Sequence, residues 1–269
     1  MEESKSVDEI IQQAGIFDNS GHLLRALHLL QYTVIKLRKK LKEAEDNKQV
    51  QDALQNCELT LEKHDNKIKR HILKGKCSCV KINDGLRGQS YERLFGSLMD
   101  DAVAEVLIHE PNLTEASHFK NLVHFLETLV KHCCNLEFVG LVTRQCSTFP
   151  DNQNSILEHL AADMELGNVG FIYLFDEHLR TPKVVLGNGV IIKSSCGLHL
   201  YKPTTVRYTL GLCDYNYRSC KSAEIEVWIS SSLAMVNHSN DDSSLCEKNS
   251  FALNKMTVLQ ANELESCLT

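Results

Sequence analysis

Apolar residues recur at helical spacing in three stretches of the N-terminal quarter of the chain. The stretches cover residues 7–17, residues 22–44 and about residues 50–73, and short polar turns separate them. In the second stretch the apolar stripe is broader than a coiled-coil seam, which indicates contact with two neighbouring helices. That stripe consists of Leu23, Leu24, Ala26, Leu27, Leu30, Val34, Ile35, Leu37 and Leu41. The pattern therefore predicts a small antiparallel bundle of three helices.

The helical period ends near residue 73, and residues 74–88 contain Gly and Lys without a clear period. We interpret residues 1–73 as one domain, residues 74–88 as a linker and residues 89–229 as a second domain. The Ser-, Asn- and Asp-rich remainder, residues 230–269, is predicted to be disordered.

Within residues 89–229, β-branched runs alternate with amphipathic segments. Strands are predicted at 102–110, 136–143 and 167–176, with helices at 115–132 and 154–166 between them. A strand–helix–strand alternation is typical of a parallel sheet with right-handed crossovers. Further strands predicted at 183–194, 206–211 and 223–229 have no helices between them, so we expect them to pair antiparallel. The predicted fold class is α + α/β, a three-helix bundle followed by a mixed α/β sheet domain.

Composition narrows the classes of function. The chain has a formal net charge of −6, which argues against general nucleic-acid binding. Its apolar runs are shorter than a membrane span needs, and its acidic, polar N-terminus is unlike a signal peptide. Eleven scattered cysteines fit reduced thiols of a cytosolic chain better than a disulfide framework. The pair Cys77 and Cys79 is a weak metal signal, so no metal or cofactor is predicted.

Positive charge is concentrated late in the second domain. Between Gly189 and Cys213 there is no acidic residue, and the wider segment to Trp228 carries five basic ones: Lys193, Lys202, Arg207, Arg218 and Lys221. A cationic rim of a sheet can perform chemistry on an anion or simply bind one. These cations can also be ordinary solvated surface that balances the acids.

The N-terminal bundle resembles an MIT domain, the three-helix module that binds the C-terminal tails of ESCRT-III subunits. The residues that carry this likeness are Ala14 to Asp18 and then Leu23, Ala26, Leu27 and Leu30. The second domain is similar to the phospholipase-D-like domain that follows an MIT domain in one family. Its matching segments are SYERLF, HEPNL, GVIIKSSCGLHLYKP, RYTLGLCDYNYRSC and EIEVW. The resemblance implies a homodimer that lacks phospholipase activity and acts with ESCRT-III in late cytokinesis.

Phospholipase D chemistry requires a His nucleophile, a phosphate-binding Lys and an orienting Asp in the pattern H-x-K-x4-D. The one candidate here begins at His178, and it has Arg180 at the Lys position and Val185 at the Asp position. His199 is followed by Tyr201 and Val206 at those positions. No catalytic residue is therefore predicted.

The remaining expectation is a binding surface for acidic phospholipids, including phosphoinositides. Guanidinium and ammonium groups suit such headgroups. The candidate anion-binding residues are Arg180, Lys183, Lys193, Lys202 and Arg207.

The resemblance also implies a tail-binding groove on the bundle, formed by Leu30, Leu37, Cys57, Leu61, Glu62, His64 and Asn66. The family's third helix typically reads Tyr-(Leu/Met)-Asp-Arg-Ala-Glu, whereas residues 61–66 here read LEKHDN. Either the tail preference has changed or tail binding has been lost. From spacing alone, His64 is interpreted as half-buried packing rather than a ligand.

Together these features predict a non-enzymatic adaptor, cytoplasmic and peripheral on late endosomal membranes and the midbody. It would bind ESCRT-III tails and acidic membranes, and it would not bind nucleic acid. The alternatives are a protein-only dimeric scaffold and a residual phosphodiesterase.

Overall fold

The computed structural model describes residues 7–43, 47–72, 76–148, 150–204 and 208–229. These residues form two units that divide between Lys69 and Arg70. The tail predicted to be disordered, residues 230–269, lies outside the described residues. Within the described ranges, no helix is long and apolar enough to cross a membrane.

The first unit contains α1 (Val7–Asn19), α2 (Leu23–Glu43) and all but the last three residues of α3 (Lys48–Ile72), which are the three predicted helices. A tight turn at Gly21, whose φ is 90°, connects α1 to α2; this left-handed conformation favours glycine. The predicted boundaries agree with the observed ones to within two residues.

Two apolar clusters hold these helices together, and both are buried. One joins Ala14 of α1 to Ala26 and Leu30 of α2. The other joins Val34 and Leu37 of α2 to Cys57 of α3. Leu61 packs against both clusters. The broad stripe of α2 thus contacts both neighbours, as its width predicted.

The second unit is built on one seven-stranded sheet with the order β1-β7-β6-β5-β2-β3-β4. Its strands are β1 (Lys76–Ile82), β2 (Glu105–Glu110), β3 (Phe138–Thr143), β4 (Gly170–Phe175), β5 (Lys183–Leu186), β6 (Val190–Ser194) and β7 (Ala223–Ile229). Its helices are α4 (Tyr91–Phe95), α5 (Ala116–His132) and α6 (Pro150–Leu166), with short 3-10 turns at Gly96–Leu98 and Tyr215–Tyr217.

The strands β2, β3 and β4 are parallel, and α5 and α6 lie between them in sequence. All residues of β2 and β3 are buried, as expected for central parallel strands. The strands β5, β6 and β7 pair antiparallel and extend the sheet beyond β2. The predicted fold class is confirmed.

Three details differ from the sequence prediction. The expected linker, residues 74–88, contains β1, which pairs with β7 along its whole length. Residues Cys77 to Lys81 of β1 are exposed on both faces, so this strand has no apolar alternation that could have identified it. The single strand expected at 183–194 is a hairpin, because the turn residue Gly189 takes a φ of 91° and separates β5 from β6.

The strand expected at 206–211 is not formed over residues 208–211, its described part. Instead, these residues make a turn in which the Leu212 N–H donates to the Thr209 carbonyl at 3.3 Å. The carbonyls of Gly211 and Leu212 accept hydrogen bonds from the side chain of Arg218. The side chain of Arg218 therefore supplies these carbonyls with the hydrogen bonds that a neighbouring strand would have donated.

Candidate functional site

The carboxyl end of β2 lies at the edge where open α/β sheets bind ligands. Here the last residue of the strand, Glu110, is buried with 1% of its surface exposed. One of its oxygens lies 3.2 Å from His199 Nε2. Its other oxygen accepts from the Leu198 N–H at 2.8 Å. The Asn112 N–H also donates to the carboxylate, at 3.2 Å, so the charge of Glu110 is well satisfied.

The ring of His199 is stacked on the ring of His118 from α5, with centroids 3.8 Å apart. Burial, and then the nearby His199, lower the pKa of His118. Two imidazoles in such contact disfavour simultaneous protonation because their charges would repel.

Glycine at position 197 makes this arrangement possible. Its φ is 60°, and a Cβ at this position would overlap the Glu110 carboxylate. We call Glu110, His118, Gly197 and His199 the buried His–Glu cluster. Sequence reasoning considered His199 only as a failed catalytic motif and did not consider the other three. The sequence did contain a signal for this cluster, because HEPNL (residues 109–113) places a carboxylate, Glu110, at the end of an apolar strand.

Two of the predicted cations come together at the same edge. Lys183 begins β5 directly opposite His109 of β2, and it lines a cavity with Glu110, Ser194 and Gly197. Because Val184 pairs with Ile192, the next positions outward, Lys183 and Lys193, face each other across the hairpin. Arg180 is exposed three residues before Lys183, and its guanidinium donates to the Glu177 carbonyl at 2.8 Å.

The other predicted anion-binding residues are placed differently. Lys202 Nζ lies 2.6 Å from Asp84 Oδ2, so its charge is already paired. Lys193 is opposite Glu226 on β7 and lies 5.7 Å from the centre of the Trp228 ring. Arg207 lies outside the described residues. Arg180, Lys183 and Lys193 therefore remain the candidate anion-binding residues, although Lys193 also faces Glu226, and Lys202 is corrected to an ion-paired residue.

The positions of the catalytic pattern do not assemble an active site in the described residues. His178 is exposed, and its backbone N–H donates to Asp176 Oδ1 at 2.8 Å. Val185 is buried in the middle of β5.

Residues 208–218, which include most of the segment LCDYNYRSC (residues 212–220), form a loop that we call the braced loop. Arg218 is buried, and its Nε donates to the Gly211 carbonyl at 2.7 Å. The guanidinium also lies 4.2 Å from the centre of the Tyr215 ring, which stacks on His124 at 3.8 Å. Arg218 therefore builds the loop and is not part of the cationic rim.

On the first unit, the seven predicted groove residues do not form one surface. Leu30, Leu37 and Cys57 are buried in the two core clusters, which corrects their assignment to the groove. Helical spacing marks apolar positions but does not separate a core from a groove in a small bundle. Glu62 is exposed, whereas Leu61 and Asn66 are half-buried.

His64 faces α1 and is buried. Its Nδ1 donates to the Thr60 carbonyl at 2.9 Å, and its Nε2 lies 3.4 Å from Asp18 Oδ2. Asp18 also accepts from Lys67 Nζ at 2.6 Å. The polar residues at this end of α3 are thus tied to α1, and Glu62 is left facing solvent.

Comparison with known proteins identifies a family and similar proteins for this chain. A family model described as "Phospholipase D-like domain at C-terminus of MIT" matches residues 88–229, just over half of the chain. A mouse protein named MIT domain-containing protein 1 is 26% identical over 150 residues, which are 55% of this chain and 60% of that protein. A crystal structure of polyphosphate kinase from Porphyromonas gingivalis overlaps 61% of this chain and 24% of that chain, with 13% identity and a TM-score of 0.34. That overlap is too small to carry an argument. The family match and the mixed sheet agree, and the chain belongs to the family of phospholipase D-like domains found at the C-terminus of MIT.

Proposed function

We propose that this chain is a non-enzymatic adaptor whose phospholipase-D-like domain binds acidic phospholipid membranes. The observation that carries the proposal is that Lys183 and Lys193 face each other across the β5–β6 hairpin, with the exposed Arg180 three residues before Lys183 in the chain. Each basic residue close to an anionic leaflet contributes about 1 kcal/mol of binding free energy. Three together are enough to concentrate the protein on such a surface.

The buried His–Glu cluster supports the non-enzymatic part of the proposal. His199 is 5% exposed, and its ring lies between Glu110 and His118. A nucleophilic His must reach the phosphorus atom of a substrate, whereas this ring is buried, with one face stacked on His118 and its Nε2 against Glu110. His178 is accessible, but the position that should orient it is Val185.

The membrane half is tested by flotation of the full chain on phosphatidylcholine vesicles with and without phosphoinositide. Lys183→Gln should weaken binding to the acidic vesicles about fivefold, the equivalent of about 1 kcal/mol. Lys202→Gln is the matched control, because it removes one lysine charge of the same domain at a position away from the β5–β6 hairpin. Equal flotation on neutral vesicles, or equal losses in the two variants, would contradict this proposal.

We propose further that the N-terminal bundle binds C-terminal tails of ESCRT-III subunits and that the protein acts in late cytokinesis at the midbody and on late endosomes. Similarity to a protein named for its MIT domain supports this assignment. The exposed Glu62, next to the half-buried Leu61, offers an altered contact for a tail helix. A binding panel of the full chain against ESCRT-III tail peptides, with Glu62→Lys as the variant, tests it. No binding to any tail would overturn it.

Dimerisation is supported by the outer edge of β1. The Ser195 N–H donates to the Glu224 carbonyl, so the peptide groups of Glu224 point towards β6 and those of Ile225 point towards β1. Ile225 is opposite Val80, and the peptide groups of the alternate residues Cys77, Cys79 and Lys81 therefore point away from the sheet. We propose that a second copy pairs antiparallel with this edge, centred on Cys79.

The alternative function is a protein-only dimeric scaffold. The exposed β1 edge favours it, because such an edge can pair without any membrane. Salt separates the two functions: electrostatic attachment weakens as the Debye length falls from about 10 Å at 0.1 M to about 3 Å at 1 M. A dimer whose vesicle binding stays at background at every salt concentration would be the scaffold.

A further inference from the structure

Exposed apolar side chains are concentrated in the braced loop. Tyr208 is 90% exposed, Leu210 70%, Tyr217 50% and Leu212 44%. Monomeric proteins often expose single apolar residues, but several within ten residues of one loop mark an interaction site.

The loop cannot fold inward to bury these side chains, because hydrogen bonds from the buried Arg218 fix its backbone. Arg218 Nε and one of its terminal nitrogens hold the carbonyls of Gly211 and Leu212 at 2.7 and 3.2 Å. Gly211 has a φ of 88°, and a Cβ there would lie 2.9 Å from backbone atoms of Tyr217 and Arg218. The buried guanidinium of Arg218 and the positive φ of Gly211 thus fix the backbone that carries the exposed Leu210 and Leu212.

The sequence around the loop is rich in basic residues: residues 189–221 contain five of them and a single acidic one, Asp214. Of these, Lys202 is paired with Asp84 and Arg218 is buried beneath the loop. In the structure, the Tyr215 hydroxyl lies 3.5 Å from the carbonyl of Lys120, whose residue is exposed at the start of α5. Exposed apolar residues with the cation Lys120 beside them are complementary to an acidic bilayer, which presents anionic headgroups above an apolar interior.

From this combination we infer that the loop of residues 208–217 inserts Leu210 and Leu212 into the interfacial region of an acidic bilayer. The inference rests on the proposed membrane function. It adds an apolar contribution to membrane binding, from Leu210 and Leu212, to the electrostatic contribution of the basic residues. Tyrosine suits the headgroup level because its ring is apolar and its hydroxyl is polar. Tyr208 and Tyr217 therefore flank the inserted leucines.

A bilayer fits this loop better than a protein partner does. A stable protein interface buries about 800 Å² on each side, which is more than four side chains on one loop provide. Shallow insertion needs only an apolar group that reaches about 5–10 Å into the headgroup boundary.

The test uses the full chain and vesicles of phosphatidylcholine with phosphatidylserine and phosphoinositide. The variant is Leu210→Ser with Leu212→Ser, which keeps the carbonyls that Arg218 holds. Leu166→Ser is the matched control, because Leu166 is 84% exposed at the end of α6. The double variant should lose at least tenfold in partitioning, since burial of each leucine is worth about that much. At about 0.5 M salt the wild type should keep measurable flotation, and the double variant should lose it.

Insertion depth is measured directly by Leu210→Trp with brominated lipids, which quench a tryptophan that reaches the acyl region. The native Trp228, half-buried against Lys193, is the internal control and should not be quenched. Strong quenching at position 210 supports insertion.

Three results would overturn the inference. If the serine variant floats like the wild type while Lys183→Gln does not, attachment is electrostatic alone and the proposed function survives. If the wild type floats on no vesicle, both proposals fail together. If the serine variant shifts the oligomeric state in sedimentation and leaves flotation unchanged, the loop contacts a second copy.

Discussion

Arg218 and Gly211 are joined by a 2.7 Å hydrogen bond from the guanidinium Nε to the glycine carbonyl, and the arginine is 6% exposed. A buried guanidinium needs several acceptors or an aromatic face to offset its lost hydration. Here two carbonyls and the Tyr215 ring supply them. This relationship explains why the motif LCDYNYRSC has its particular residues, and it can be tested.

Replacement of Arg218 with Met should lower the free energy of unfolding by about 2 kcal/mol, because the carbonyls of Gly211 and Leu212 lose a charged donor. It should also make the loop a site of limited proteolysis. Urea unfolding and mass mapping of the fragments measure both effects. Lys221→Met is the control, since Lys221 donates to the Leu200 carbonyl through its backbone. An uncut loop in Arg218→Met would contradict the bracing role.

Gly197→Ala should destabilise the second unit more than Gly85→Ala does. Both glycines have positive φ, 60° and 78°, but a Cβ at Gly85 meets nothing within 4 Å, whereas one at Gly197 overlaps the Glu110 carboxylate. The left-handed backbone alone costs alanine roughly 1–2 kcal/mol, so the excess at position 197 measures the steric overlap. Calorimetry gives both values, and equal losses would show that Glu110 simply moves aside.

Stability should fall as the pH is lowered from about 7.5 to 5.5. Burial lowers the pKa of His118 and His124 below the ordinary value of 6.5. The unfolded chain therefore binds more protons than the folded chain between the lowered pKa and 6.5, and the stabilisation present above 6.5 is lost as the pH falls through that window. Urea midpoints for wild type and His118→Gln give the measurement. The variant should show a shallower pH dependence, and an unchanged slope would exclude His118 as a source.

The cysteines should divide sharply in their reactivity towards alkylating reagents at pH 8. Burial raises the pKa of Cys133 to about 12 and those of Cys57 and Cys220 to about 11, so few thiolates form there. Cys77 and Cys213 are exposed and should react first. Timed alkylation followed by mass spectrometry ranks them. Early modification of Cys133 in the folded protein would contradict the packing of the α5 terminus.

The proposed β1 dimer predicts a specific disulfide. In an antiparallel pair centred on Cys79, the two copies of that residue lie with Cα atoms about 5.5 Å apart, within the range that a disulfide spans. Mild oxidation of the full chain should therefore give a covalent dimer that disappears in Cys79→Ser. The control is Cys134→Ser, which removes another exposed thiol and should leave the dimer intact. A dimer that survives Cys79→Ser would exclude this register.

The sequence predicts the helices and the parallel strands well because their signals are local. The apolar runs of β2 and β3 and the stripe of α5 each reveal one buried surface. The site is less accessible to such reasoning. Glu110, His118 and His199 come from three separate elements, and nothing in their spacing shows that they meet.

The environment of each basic side chain is the other property that the sequence alone does not predict. Lys183, Lys202 and Arg218 look equivalent in the sequence, yet one lines a cavity, one is paired with Asp84 and one is buried beneath a loop. Whether a basic side chain is exposed, paired or buried depends on its neighbours in the fold, and the sheet topology brings those neighbours together. Exposure of Leu210 is likewise a result of the brace and not of the local pattern.

The overlap between Gly197 and Glu110 also constrains how this family can diverge. A chain with any larger residue at position 197 has no room for the Glu110 carboxylate in its present position, and without that carboxylate the Leu198 N–H and His199 lose their partner. A substitution at position 197 therefore requires a change at position 110, whereas a change at position 110 alone leaves room for glycine at 197. Among homologues, the pair should covary, with glycine at one position wherever glutamate occupies the other.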